Sequence, residues 1–121
     1  MKKTKKIPRI VHQILIQGGL LVGSQVGYLL GKNKEKPDDY DILVPFEKWK
    51  DISILITEDA EVNSFRGWRF YEEGVQIDVW PGSVFDYLTN CSLCLSSPVF
   101  VLDFIHNRVY SSEYIKPNEN T

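Results

Sequence analysis

The chain has 121 residues, enough for one domain with a modest core and too few for two. Its net charge of −2 excludes a globally basic nucleic-acid-binding protein, and its apolar and charged contents are those of an ordinary globular domain. No apolar run approaches the roughly 18–20 residues that a membrane span needs, so we expect a cytoplasmic protein with no membrane partner.

Both ends of the chain are polar, and we expect them to be solvated. Four lysines make residues 1–6 a basic tip, and residues 115–121 form a polar tail. The opening is similar to the start of a signal peptide, but Arg9, His12 and Gln13 interrupt the apolar stretch that should follow. A basic tip can also contact phosphates. The basic tip is therefore compatible with an enzyme that acts on RNA ends. Such an enzyme would bind RNA with an affinity that falls steeply as the salt concentration rises.

The two cysteines, Cys91 and Cys94, form a single CxxC pair. A structural zinc site needs two further ligands, and the only histidines, His12 and His106, are distant in sequence. We therefore expect both cysteines to be small apolar fillers in a reducing compartment.

In chain order, the apolar periodicity and the turn residues predict alternating helices and strands. Four helices are expected: Pro8–Gln17, Gln25–Leu30, Phe46–Ile56 and Val84–Leu88, the last capped by Ser83. The expected strands are Leu20–Val22, Asp39–Val44, a hairpin of Phe65–Glu72 and Val75–Trp80, Pro98–Phe104, and Arg108–Tyr110. Polar loops are expected at Gly31–Asp38, Thr57–Asn63 and Thr89–Ser97.

This order predicts one α/β or α+β domain, residues 1–121, with a small mixed sheet flanked by helices. The third helix is predicted to turn Phe46, Trp49, Ile52 or Ser53, and Ile56 inward. Its isoleucine-rich end, Ile52–Ile56, is also compatible with a strand.

A Gly-Ser turn joins the first predicted strand to the second helix. Gly23 and Ser24 precede the helix, where free backbone N–H groups and the helix dipole favour an anion such as phosphate. Ser24 is also a suitable N-cap, and the two roles are compatible.

Two carboxylates begin the next predicted strand. Asp39 and Asp41 are two residues apart, so they share one face, while Tyr40 and Ile42 face the core. Like charges repel unless a positive charge lies between them, and a divalent cation with oxygen ligands fits. The alternative is that Asp39 and Asp41 are polar residues at the end of a loop.

A third carboxylate, Asp78, lies inside the apolar strand that closes the hairpin. A charged residue there needs a partner or a metal. If its strand neighbours the Asp39 strand, the three acids can converge at one end of the sheet. The alternative is an ion pair across the hairpin with Arg66 or Arg69. Trp80 shares the face of Asp78, where it can belong to the core or stack on a base.

This combination of a Gly-Ser turn, an Asp-x-Asp strand and a distant Asp resembles the nucleotidyltransferase superfamily. The resemblance spans about Ile10–Gly82. It implies a polymerase-beta-like domain in which Asp39, Asp41 and Asp78 bind Mg²⁺ (or Mn²⁺) and act in catalysis, while Gly23 and Ser24 bind the nucleotide. It also implies transfer of a nucleoside monophosphate to a hydroxyl on a protein, an RNA or a small molecule, with release of pyrophosphate. The expected donor is ATP, which would transfer AMP.

The chain departs from that superfamily in two ways. The loop between Ser24 and Asp39 is longer than usual, and we expect no helical substrate domain within these 121 residues. We therefore expect an acceptor site that is shallow, shared between subunits or completed by a partner protein. The competing interpretation is a catalytically silent module of the same fold that binds a nucleotide or a partner, for example an antitoxin that acts by binding.

Overall fold

A computed structural model describes residues 7–32, 34–56, 59–94 and 99–112, with the backbone alone described for 91–94. Within these ranges the chain forms a mixed α+β domain of four helices and seven strands. The helices are α1 (Arg9–Ile16), α2 (Ser24–Leu29), α3 (Phe46–Ser53) and α4 (Val84–Cys94). The strands are β1 (Leu20–Val22), β2 (Asp39–Val44), β3 (Glu61–Val62), β4 (Trp68–Glu72), β5 (Val75–Pro81), β6 (Phe100–Asp103) and β7 (Arg108–Ser111).

All seven of these strands belong to one mixed sheet, in the order β3-β4-β5-β2-β1-β6-β7. The two central strands, β2 and β5, run parallel, and every other neighbouring pair is antiparallel. A parallel pair needs a long crossover connection, which here contains α3, β3 and β4.

The two faces of the sheet carry separate apolar clusters. Helices α1, α2 and α3 cover one face, where Val11, Val26 and Ile52 pack with alternate residues of β2 and β5. On the other face Leu88 of α4 packs with Leu43 and with residues of β1 and β6. Asp39 and Asp41 alternate with the first set, so they lie on the α4 face.

The elements nearest the Gly-Ser turn agree best with the prediction from the sequence. β1 and β2 have the predicted bounds, and the Glu73-Gly74 turn joins β4 to β5. Ser83 caps α4 as predicted, because its Oγ accepts a hydrogen bond from the Asp86 N–H at 3.1 Å.

The third helix is shorter than predicted. α3 ends at Ser53, three residues before the predicted end, and residues 54–56 form neither helix nor strand. Phe46, predicted to face inward, is 66% exposed, whereas Ile52 is buried as predicted. Phe46 is the first residue of the helix and follows Pro45, which comes directly after the last residue of β2.

The segment before the hairpin was also predicted wrongly. Its polar connection contains the two-residue strand β3, and β4 begins at Trp68 rather than Phe65. Residues 63–67 form a turn in which Arg66 has φ +69°, a left-handed conformation that is incompatible with a continuous strand.

The fourth helix extends six residues beyond the prediction, to Cys94, through much of the predicted loop. Thr89–Cys94 contains neither glycine nor proline, so nothing in the backbone chemistry stops the helix there. The β6 strand is shorter than the predicted Pro98–Phe104, and β7 extends to Ser111. The basic tip 1–6, the tail 115–121, Pro98 and the two cysteine side chains lie outside the described residues.

None of the helices in the described part of the chain has the length and the apolar character needed to cross a bilayer.

Candidate functional site

The strand register places the predicted acids side by side. Asp41 of β2 is paired with Asp78 of the parallel strand β5, and Asp39 is paired with Gln76. This confirms that the two acid-bearing strands are neighbours. The row through Asp41 and Asp78 continues to Arg69 on β4 and to Val22 on β1. Residues paired in register share a face, so the acidic row lies on the face that α4 covers in part.

Gly23 brings the main chain against the Asp41 carboxylate. The residue follows Val22, the β1 partner of Asp41, and has φ +81° and ψ −155°. Backbone in that region is accessible essentially to glycine alone. A β-carbon built on Gly23 would lie 3.0 Å from Asp41 Oδ2. The turn and the acidic row are therefore in direct contact.

Ser24 is the exposed first residue of α2, and Gly23 occupies the N-cap position. The Gly23 carbonyl accepts a hydrogen bond from the Val26 N–H at 3.1 Å, which closes the first turn of the helix. The predicted capping role therefore falls to the backbone of Gly23 rather than to the Ser24 side chain. The predicted phosphate contact by Gly23 and Ser24 remains a prediction.

Gln25, which sequence reasoning missed, ties α2 to the acid-bearing strand. Its side chain is 2% exposed, and its Nε2 donates to the carbonyls of Pro37, at 3.1 Å, and Asp39, at 2.9 Å. A buried amide that satisfies two loop carbonyls fixes where β2 begins relative to the Gly-Ser turn. The only signal in the sequence was a polar residue on an otherwise apolar short helix.

Asp78 is buried, with 4% exposure, and is surrounded by hydrogen-bond donors. Its Oδ1 accepts from Arg69 Nε at 3.0 Å and from Asn63 Nδ2 at 3.2 Å, and its Oδ2 accepts from Gln76 Nε2 at 3.1 Å. The alternative ion pair with Arg69 is therefore present. It compensates the buried negative charge of Asp78 without a metal ion.

Asp41 lies in the same row, and no side chain in the described ranges compensates its charge comparably. The pKa of its carboxyl is raised to about 6, first by burial and then by the charges of Asp39 and Asp78, while the charge of Arg69 lowers it. A carboxyl among like charges and partly removed from water is a position where a bound cation gains free energy.

Carboxylate oxygens are the ligands that Mg²⁺ prefers, and Asp39, Asp41 and Asp78 supply them on one face of the sheet. Within the described ranges, however, no three His, Cys, Asp or Glu side chains are gathered into a group that could hold a metal ion. The donor chemistry thus fits Mg²⁺, whereas the Asp78 oxygens are engaged by protein donors.

The remaining residues singled out in the sequence lie in other contacts. The Trp80 ring packs between Phe65, at 4.9 Å, and Tyr87, at 6.4 Å between ring centroids, which favours the core interpretation over base stacking. His106 Nδ1 lies 2.9 Å from Asp103 Oδ2, a partner that the sequence did not reveal. His12 is exposed, and its ring contacts Phe104 edge-on.

Neither family models, nor curated proteins, nor solved structures gave a match to this chain. The function is therefore argued from the geometry of the acidic row and the turn beside it.

Proposed function

We propose that this chain is a Mg²⁺-dependent nucleotidyltransferase that moves a nucleoside monophosphate, with ATP as the first donor to test, to an acceptor hydroxyl. The observation that carries the proposal is the position of Asp41. Its carboxylate lies between the backbone of Gly23 on one side and Asp78 on the other. The backbone that could bind phosphate is therefore next to the pair of acids that could hold a metal ion for the transfer.

Each residue has a role in this proposal. Asp39 and Asp41 would hold the Mg²⁺, and Asp78 would complete the site or accept the proton of the acceptor hydroxyl. The ion supplies Lewis-acid stabilisation of the phosphates. The backbone at Gly23 and Ser24 would hold the β- and γ-phosphates in line. A new bond forms between the acceptor oxygen and the α-phosphorus, while the bond to the β-phosphate oxygen breaks and pyrophosphate leaves.

A second candidate is a module that binds a nucleotide or a protein partner without chemistry. The observation that favours it is the compensation of Asp78 by Arg69, Asn63 and Gln76, which leaves no unpaired charge there for a metal to neutralise. Asp41 argues against this candidate, because a binding module gains nothing from a carboxylate held among two others.

The test is incubation of the protein with ATP labelled on the α-phosphate, Mg²⁺ and a cell lysate, with proteins, RNA and small molecules separated afterwards. We expect label on one acceptor class with release of pyrophosphate. The Asp41→Asn variant should lose at least about 100-fold of this activity, since metal-binding acids contribute several kcal/mol to such transfers. The matched control is Asp51→Asn, the same change at an exposed position on α3.

Two results would contradict the enzyme. Equal label transfer by wild type and Asp41→Asn would place the activity outside this row. ATP bound by the wild type, as measured by calorimetry, with no label on any lysate component would favour the binding module.

A further inference from the structure

The two oxygens of the Asp78 carboxylate are held unequally. Oδ1 accepts from both Arg69 Nε and Asn63 Nδ2, which occupies both of its lone pairs. Oδ2 accepts from Gln76 Nε2. Within the described residues, Oδ2 is therefore the oxygen of Asp78 with the greater remaining capacity for a ligand.

The amide of Asn63 has its orientation fixed by the backbone around it. Its Oδ1 accepts from the N–H groups of Phe65 and Gly67, both at 2.9 Å. Because a backbone N–H can only donate, this side of the amide is the oxygen, and the other side must be the NH₂ group. That group donates to the Trp68 carbonyl at 3.0 Å and to Asp78.

The turn that carries Asn63 is pressed against the strand of Asp78. A β-carbon built on Gly67 would lie 1.8 Å from the Val79 carbonyl oxygen, so only glycine permits this approach. Asn63 Nδ2 also lies 3.4 Å from that oxygen. The donor facing Asp78 Oδ1 is thus part of a turn whose position on β5 is set by close packing.

The contact on the other oxygen lies closer to solvent. Gln76 is half-buried, and its Oε1 accepts from the hydroxyl of Tyr71, which is 63% exposed. Gln76 is paired in register with Asp39, so its amide stands beside two of the three acids. Because Tyr71 is exposed, water can compete for this amide–hydroxyl hydrogen bond, and Gln76 is easier to displace than a partner held only by buried groups.

We propose that Asn63 is a positioning residue for Asp78: together with Arg69 it holds Oδ1, so that Oδ2 alone faces the bound cation or the acceptor hydroxyl, with Gln76 as the group that is displaced. This inference rests on the proposed function, because it assigns Asp78 a role in that reaction. Partners of this kind orient metal ligands, and their loss typically costs about 10–100-fold in metal affinity or activity.

The main test variant is Asn63→Ser, with Asn90→Ser as the matched control on the exposed side of α4. Serine can still accept a hydrogen bond in the turn, but it is too short to reach Asp78 and brings no charge. Three quantities are measured: the Mn²⁺ dissociation constant by electron paramagnetic resonance, kcat and KM for ATP, and the melting temperature.

We expect Asn63→Ser to weaken Mn²⁺ binding by about 10-fold or more and to lower kcat by about 10–100-fold, with KM for ATP within about threefold. Asn63→Asp is the second variant: it keeps an acceptor for both turn N–H groups, while a carboxylate oxygen replaces the NH₂ group that donates to Asp78 and to the Trp68 carbonyl. Both variants are assayed below their melting temperatures, and kcat of Asn63→Asp should fall at least as far as that of Asn63→Ser, because its added carboxylate faces Asp78.

A purely structural role gives a different pattern. Melting temperatures would fall while Mn²⁺ affinity and kcat of the folded protein stayed at the wild-type values, and this would overturn the inference. Wild-type Mn²⁺ binding without any label transfer would count against the nucleotidyltransferase, and the Mn²⁺ comparison would still decide on Asn63. Failure of the wild type to bind Mn²⁺ would contradict both the proposed function and the positioning role of Asn63.

Discussion

At the scale of single residues, two aspartates in one row have opposite electrostatic surroundings. Asp78 is buried and accepts three hydrogen bonds, one of them from a guanidinium. Asp41 lies beside it, and its strongest influences are desolvation and two neighbouring acids. Among the described residues, side chains therefore compensate the charge of Asp78, whereas Asp41 has no comparable partner.

The raised pKa of Asp41 predicts how the stability of the metal-free protein depends on pH. The pKa is about 6 in the folded state against 3.8 for the free side chain, so between these values the folded state holds a proton that the unfolded state has lost. Ionisation of Asp41 in the folded state therefore lowers the free energy of unfolding as pH rises from about 4 to about 6. This destabilising penalty is complete above pH 6.

Asp41→Asn should remove this penalty. We expect the variant to be about 1–3 kcal/mol more stable than the wild type at pH 7.5, since one pKa unit corresponds to about 1.4 kcal/mol, and the gain should vanish near pH 4. Urea unfolding at both pH values measures the difference. The control Asp51→Asn, at an exposed site, should show no such pH-dependent gain. A variant less stable than the wild type at pH 7.5 would show that Asp41 is compensated after all.

Residue roles could be predicted from the sequence only where a local pattern fixes them. The spacing of Asp39 and Asp41 on a strand determines that they share a face, and this needs no tertiary information. Asn63 and Gln25 act through partners far away in sequence, at Asp78 and Asp39. The sequence around Asn63 does not distinguish it from an ordinary loop amide, and the sequence around Gln25 shows only a polar residue on a short apolar helix.

At the scale of elements, the connection from β1 to α2 sets the geometry of the candidate site. Gly23 leaves the strand with positive φ and brings the backbone to the carboxylate of Asp41. This element was predictable because a short apolar run followed by Gly-Ser signals both the strand end and the helix start. The full length of α4 was not predictable, because the sequence after the predicted end carries no stop signal. The strand β3 was not predictable, because it depends on pairing with β4.

A comparison of two glycine substitutions separates strain from obstruction at this turn. Gly23 and Gly31 have nearly the same φ, +81° and +80°, but a β-carbon on Gly31 would have nothing within 4 Å. Both Gly23→Ala and Gly31→Ala should lose about 1–3 kcal/mol of stability from backbone strain. Only Gly23→Ala also places a methyl group against Asp41, so it alone should lower nucleotidyl transfer by more than about 10-fold.

Urea unfolding and initial rates of label transfer measure the two effects. Activity is compared at a temperature where both variants are fully folded, so that lost stability does not register as lost activity. Equal activity of the two alanine variants would show that the Gly23–Asp41 contact has no role in the reaction.

At the scale of the whole molecule, the order of the strands creates the acidic row. The crossover through α3 and the hairpin returns the chain so that β5 lies parallel to β2, which brings Asp78 beside Asp41. The sequence predicts the strands but not which strands are neighbours in the sheet. The alternation of side chains along a strand is a local property, whereas strand pairing is not. From the sequence alone, the three acids can converge only if the strands of Asp41 and Asp78 are neighbours. In the sheet these two strands are neighbours.

Because the acids belong to different strands, metal binding should stabilise the fold as a whole. An ion that binds only the folded state adds about 2.7 kcal/mol at 100 times its dissociation constant. For a domain of this size that corresponds to a rise in melting temperature of roughly 8–12 °C. We expect such a rise for the wild type when Mn²⁺ or Mg²⁺ is titrated, with Asp51→Asn behaving in the same way.

Asp41→Asn and Asp78→Asn should each lose most of this shift, although one acid lies on β2 and the other on β5. Loss in Asp41→Asn alone would mean that Asp78 is only the partner of Arg69, and its ion pair would then be structural. A shift of the same size in both variants would assign the bound ion to another part of the surface. The thermal shifts thus test whether the central parallel pair of strands forms one binding site or merely places two acids side by side.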